Sequence, residues 1–133
     1  MLLVLLVASA AVAAAAGSAD VSTLAPEAAR PKPRVSLDLT RTGWAYRWEY
    51  RISVRVRTRA SGRPLAGLRV RARAAMDAPG HHMEAGPARL RDRGGGTYQA
   101  TVRFYMPGDW RITVVVAGAN VNSSTTSFDV TLR

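Results

Sequence analysis

Cysteine is absent from the 133 residues. No disulfide can staple the fold, and no thiolate is on hand to bind a metal, so a metal site would have to use histidine, methionine, aspartate or glutamate. Lysine is nearly absent as well: Lys32 is the one exception among 19 basic residues. Acidic residues are scarce, nine against those 19, and the net charge is +10. Histidine occurs twice, at His81 and His82. A catalytic constellation is missing too. There is no cysteine nucleophile and no serine–histidine–aspartate arrangement with a recognisable elbow. Gly94-Gly95-Gly96 lacks the lysine and following hydroxyl residue of a phosphate loop. An enzyme is therefore not expected.

No charged residue precedes Asp20. The run from Met1 to Ala16 is almost wholly apolar, shorter than the roughly 20 residues that span a bilayer as a helix. Small residues follow, with cleavage sites of the A-x-A kind ending at Ala16 or Ala19. Residues 1–19 read as a secretory signal peptide, an uncleaved anchor being the alternative, and they place the chain in a periplasmic or extracytoplasmic compartment. Export and an arginine-over-lysine bias that suits a genome-wide habit argue against nucleic acid as the partner, despite the basic charge. Residues 20–34 carry Pro26, Pro31 and Pro33 among polar residues and read as a flexible linker.

From residue 35 to 133 the pattern has period two. Val35, Leu37 and Leu39 alternate with polar residues, and so do Trp44, Tyr46, Trp48, Tyr50, Ile52, Val54 and Val56. That second run exceeds a usual strand length and predicts a bend near Trp48. Leu68 to Ala74, a weak stretch at Ala88–Arg91, Tyr98 to Phe104, Trp110 to Val116 and Phe128 to Leu132 continue the pattern. Turn signals separate them: Ser61-Gly62-Arg63-Pro64, Gly94-Gly95-Gly96 and Pro107-Gly108. About seven strands without a helical segment predict an all-β, immunoglobulin-like antiparallel β-sandwich. Trp44, Trp48, Phe104, Trp110 and Phe128 are expected between the sheets.

Between the third and fourth groups of strand residues lies Met76-Asp77-Ala78-Pro79-Gly80-His81-His82-Met83. It gathers both histidines and two of the four methionines. Pro79 and Gly80 predict a loop. Thioether and imidazole donors together suit copper, Cu(I) before Cu(II). Cu(II) would recruit an oxygen from Asp77 or Glu84. Neighbouring His81 and His82 diverge in an extended chain, so one of them is expected as a primary ligand. Met76 follows Ala72 and Ala74 in phase and reads equally as the end of a core strand. Met83 reads as the more telling methionine. Met106, in phase with Phe104, reads as core, or as a further ligand if its turn lies beside the loop.

The order Gly62-Arg-Pro-Leu-Ala-Gly67-Leu-Arg-Val70, then the Met/His stretch, then Gly96-Thr-Tyr98-Gln-Ala100 and Gly108-Asp-Trp110-Arg-Ile-Thr-Val114 resembles the YtkA-like domain, related to the periplasmic part of FixH. The resemblance covers about residues 35–132. It implies an exported immunoglobulin-like domain concerned with copper handling or with maturation of copper-containing respiratory oxidases. Family loops resemble M-P-x-M-x-H. Met76 and one histidine match that pattern, while the middle methionine is displaced to Met83.

Arginines form a second motif. Arg47, Arg51, Arg55 and Arg57 share one strand face, and Arg69, Arg71 and Arg73 share another. If those strands pair, they make a broad cationic surface for an anionic partner (lipid headgroups, an acidic subunit of a membrane respiratory complex, or an acidic redox partner such as a copper protein); a solvated strand face is the other reading. The alternative to a copper module is thus a metal-free assembly subunit that docks through this face.

Overall fold

The computed structural model describes residues 30, 32–43 and 48–133. The expected signal segment, most of the expected linker, and the positions of Trp44 and Arg47 lie outside the described residues. Seven antiparallel strands follow one another: β1 (Pro33–Arg41), β2 (Glu49–Thr58), β3 (Arg69–Ala78), β4 (His81–Asp92), β5 (Thr97–Arg103), β6 (Gly108–Gly118) and β7 (Val121–Leu132). Among the described residues there is no helix. The strand order is β1-β2-β5-β4-β3-β6-β7. β1-β2-β5 form one layer and β4-β3-β6-β7 the other, joined where β4 and β5 pair over two residue positions only, Arg91 with Gln99 and Asp92 with Tyr98. β1 and β7 come alongside each other at the opposite edge without pairing. The fold is the expected all-β sandwich, nearly closed.

Period-two alternation accounts for the burial. Tyr50, Ile52, Val54 and Val56 of β2, Val70, Ala72, Ala74 and Met76 of β3, and Trp110, Ile112, Val114 and Val116 of β6 are all buried. Burying one such larger aliphatic side chain stabilises a fold by roughly 1.5–3 kcal/mol. Successive residues point to opposite faces of a strand, so the intervening arginines are left in water. Trp110 and Phe104 lie in the core as expected, and Trp48 and Phe128 are half-buried against it. The core also holds Tyr98, fully buried.

Two ends of the sandwich differ in construction. At the lower end the β4–β5 turn meets the segment between β2 and β3. Tyr98 donates its hydroxyl proton to the Leu65 carbonyl at 2.7 Å and accepts from the Leu68 amide at 3.2 Å. Burial pushes the phenol pKa up. Asp92 accepts from the amides of Gly67 and Gly94, and these bonds hold its carboxyl below the usual range. Gly96, at φ +77°, packs so closely that a Cβ would stand 2.8 Å from Pro64 Cβ and from the Val56 carbonyl oxygen. At the upper end an aromatic stack fills the space: Tyr50 meets Phe104 edge-on at 5.7 Å and Phe104 meets Trp110 at 5.0 Å. Trp110 Nε1 donates to the Met106 carbonyl at 3.1 Å.

Candidate metal site and cationic face

The Met76–Met83 stretch is not the expected loop. It is a β-hairpin with only Pro79 and Gly80 between β3 and β4. Gly80 takes φ +79°, which a glycine adopts freely. Proline followed by a left-handed glycine is the residue pair of a type II turn, so the interruption lasts two residues and both strands continue to it. The weak strand expected at 88–91 is accordingly twelve residues long and begins at His81.

Register decides which donors meet. Met76 stands opposite Met83, Asp77 opposite His82, and Ala78 opposite His81. Direct cross-strand partners bring Cβ atoms to about 4.5–5.5 Å. Met76 is buried and ends the core side of β3, while Met83, expected outside the core, is half-buried against it. Asp77 and His82 have the other parity and are exposed. The two thioethers thus face inward while His82 faces water. Gly108 sits against Met76: a Cβ there would stand 2.9 Å from the Met76 methyl carbon. The turn leading into β6 therefore lies beside the hairpin. Met106 belongs to that turn and is exposed, at 39%. It is not the core residue its phase suggested, because β5 ends at Arg103 and the alternation ends with Phe104.

On the outer face His82 Nδ1 lies 2.6 Å from Asp77 Oδ1, and Nε2 lies 3.5 Å from Glu84 Oε1. Glu84 also accepts from Arg73 at 3.1 Å. The hydrogen bond to Asp77, then its charge, raises the His82 pKa above the ordinary 6.5, with a smaller push from Glu84. The carboxylates flank different ring nitrogens whose lone pairs diverge, so one ion cannot reach both carboxylates and a single imidazole nitrogen. Among the described residues no group of three or more His, Cys, Asp or Glu is placed to hold a metal. A soft site here must therefore draw on the thioethers.

The two expected arginine rows do not pair. β2 lies between β1 and β5, whereas β3 lies between β4 and β6. Arg51 and Arg55 are exposed on β2, with Arg57 half-buried. Arg69, Arg71 and Arg73 are exposed on β3. What links the rows is β4, whose arginines the sequence reading left out. Arg89 stands directly opposite Arg71. Arg51, Arg89, Arg91 and Arg93 line a single cavity of about 440 Å³. The signal for them was the alternation Arg89-Leu90-Arg91, weak because Ala88 and Leu90 are its sole apolar members.

The acid balance sharpens this face. Of nine acidic residues, Asp20 and Glu27 lie outside the described residues. The other seven are all engaged: Asp38 with Arg55, Glu49 with Arg103, Asp77 with His82, Glu84 with Arg73, Asp92 with two backbone amides, Asp109 with Thr131 and Asp129 with Arg111. Among the described residues none of them pairs with Arg51, Arg69, Arg71, Arg89 or Arg91.

Comparison with known proteins bears on the fold and the family. A DUF4426 family protein from Pseudomonas aeruginosa superimposes with a TM-score of 0.52 at 16% sequence identity, over 74% of this chain and 87% of its own. At that identity the likeness is one of fold. No curated protein matches the sequence. The YtkA-like family model matches residues 48–115, just over half the chain. That match spans Tyr98, Gly96 and the Leu65–Gly67 segment of the lower end, together with the Met76–Met83 hairpin and Trp110 of the upper end, and the chain belongs to the YtkA-like family.

Proposed function

We propose that this protein is an exported carrier that binds Cu(I) at the hairpin end of the sandwich and passes it on to another copper protein. The single observation that supports the reading most is the Met76–Met83 cross-strand pair with the Met106 turn held beside it through Gly108. Three thioethers at one end of a rigid sandwich are the donor type that Cu(I) favours. They remain usable in an oxidising compartment, where thiolates form disulfides. The uncharged, apolar N-terminus supports export. His81 is kept as a fourth donor in this reading on the chemistry of its imidazole. His82 is left out, because its parity sets it among carboxylates on the outer face.

Titration of the full chain with Cu(I) against a competing chelator tests the reading. Met83→Leu keeps the apolar volume and so leaves the fold intact. It should weaken Cu(I) binding by more than about tenfold, the scale on which even supporting groups around a metal act. His82→Ala should leave the affinity unchanged. Equal affinity of Met76→Leu, Met83→Leu and the natural chain would sink the copper reading.

A further inference from the structure

The β4–β5 ladder is two pairs long, Arg91 with Gln99 and Asp92 with Tyr98. Beyond them β4 bulges against β3 at Gly86-Pro87, and a bulge bends its strand. Pro87 also brings no N–H to a ladder. Where the pairing stops, residues of β4, β5 and β2 line a cavity of about 440 Å³. Ala88 and Ala100, both half-buried against the core, contribute only methyl groups to its lining and leave the space open.

The rest of the lining is cationic. Arg51 comes from β2, and Arg89, Arg91 and Arg93 come from β4. Arg89 also stands directly opposite Arg71 of β3. Like charges so placed destabilise a sheet, and an anion between them offsets the repulsion. No acidic residue lines the cavity. Among the described residues no carboxylate pairs with Arg51, Arg71, Arg89 or Arg91, because the acids are engaged elsewhere.

The form of the cavity narrows the anion. A guanidinium is a planar fork that matches the oxygens of carboxylate or phosphate. Here forks from β2 and from β4 line one space. A tetrahedral phosphate offers oxygens in several directions, whereas a carboxylate offers two in one plane. The volume lies within the roughly 300–1,000 Å³ of small-ligand sites, and several arginines suit more than one charged group. A membrane surface fits less well. Binding at a lipid interface draws on inserted apolar groups, and the exposed large apolar side chains Tyr105, Met106 and Val115 are not among those that line the cavity.

We infer that the cavity beside the β4–β5 junction binds a small soluble anion carrying two or more linked phosphate groups, held by Arg51 of β2 and by Arg89 and Arg91 of β4. The inference does not depend on copper. Metal-free protein tests it, so it stands or falls apart from the carrier reading.

Calorimetric titration of the metal-free full chain with tripolyphosphate, at fixed ionic strength, is the experiment. One saturable site is expected. Inorganic monophosphate offers one group to the same arginines and should bind about tenfold more weakly or worse. Arg51→Gln with Arg89→Gln, both at exposed positions, should weaken tripolyphosphate binding by about tenfold or more. Arg59→Gln with Arg63→Gln removes the same two charges from the exposed segment between β2 and β3, and should change binding by less than about twofold in screening salt. Equal losses in the two double variants would show attraction by net charge alone and overturn the inference. So would citrate binding as tightly as tripolyphosphate. Absence of tripolyphosphate binding would overturn it too, and binding to phosphatidylglycerol vesicles in that case would assign the arginines to a membrane surface instead.

Discussion

The two ends of the sandwich are held by different physics. At the lower end direction rules: Tyr98 bonds two backbone groups, Asp92 bonds two more, and Gly96 fits where a Cβ cannot. At the upper end Tyr50, Phe104 and Trp110 pack edge to face, and Met76 lies against Gly108. Hydrogen bonds at fixed distance admit one arrangement, whereas thioethers and ring edges tolerate small displacements. The comparison suggests a division of labour. The Gly62-to-Gly67 and Gly96-to-Tyr98 motifs serve the fold, while the upper end keeps adaptable donors.

The largest expected effect tests the apolar end. Trp110→Ala empties a fully buried site and should cost about 3–5 kcal/mol in urea unfolding. At the lower end Tyr98→Phe keeps the ring but leaves the Leu65 carbonyl and the Leu68 amide without the hydroxyl, and should cost about 1–3 kcal/mol. If Tyr98→Phe proves the costlier change, polar anchoring outweighs packing and the contrast between the ends is wrong. The smallest effect lies on the outside of the hairpin. His82 holds its proton above pH 6.5 through Asp77. Its ion pair therefore contributes fully below that value, and the contribution fades as pH rises through the raised folded pKa. Asp77→Asn should bring the His82 pKa, read by NMR titration, back toward the ordinary value. A pKa that stays raised would transfer the role to Glu84.

Much of the fold was legible because alternation is local. Val70, Ala72, Ala74 and Met76 announced both a strand and its buried face, and Gly94-Gly95-Gly96 marked a turn. The hairpin at Pro79-Gly80 was misread as a loop because two turn residues suffice to reverse a strand, yet they look like the end of regular structure. Of the two readings of Met106, the core one fails because phase persists in the sequence after Phe104, where the strand itself has stopped. The candidate site was legible as a list of donors. Its division into inward methionines and an outward His82 was not, since that depends on Met76 standing opposite Met83.

The sequence by itself determined that the described chain is built of strands, which face of most of them is buried, and that none of its 133 residues supplies a thiolate. Periodicity and composition carry those facts within a few residues. Only the tertiary structure decided that β2 and β3 lie in different layers, that Arg71 stands opposite Arg89, and that β4 parts from β5 beside a cationic cavity. A strand's backbone offers the same hydrogen bonds to any neighbour. Which neighbour it takes is settled by the core that the whole chain closes around.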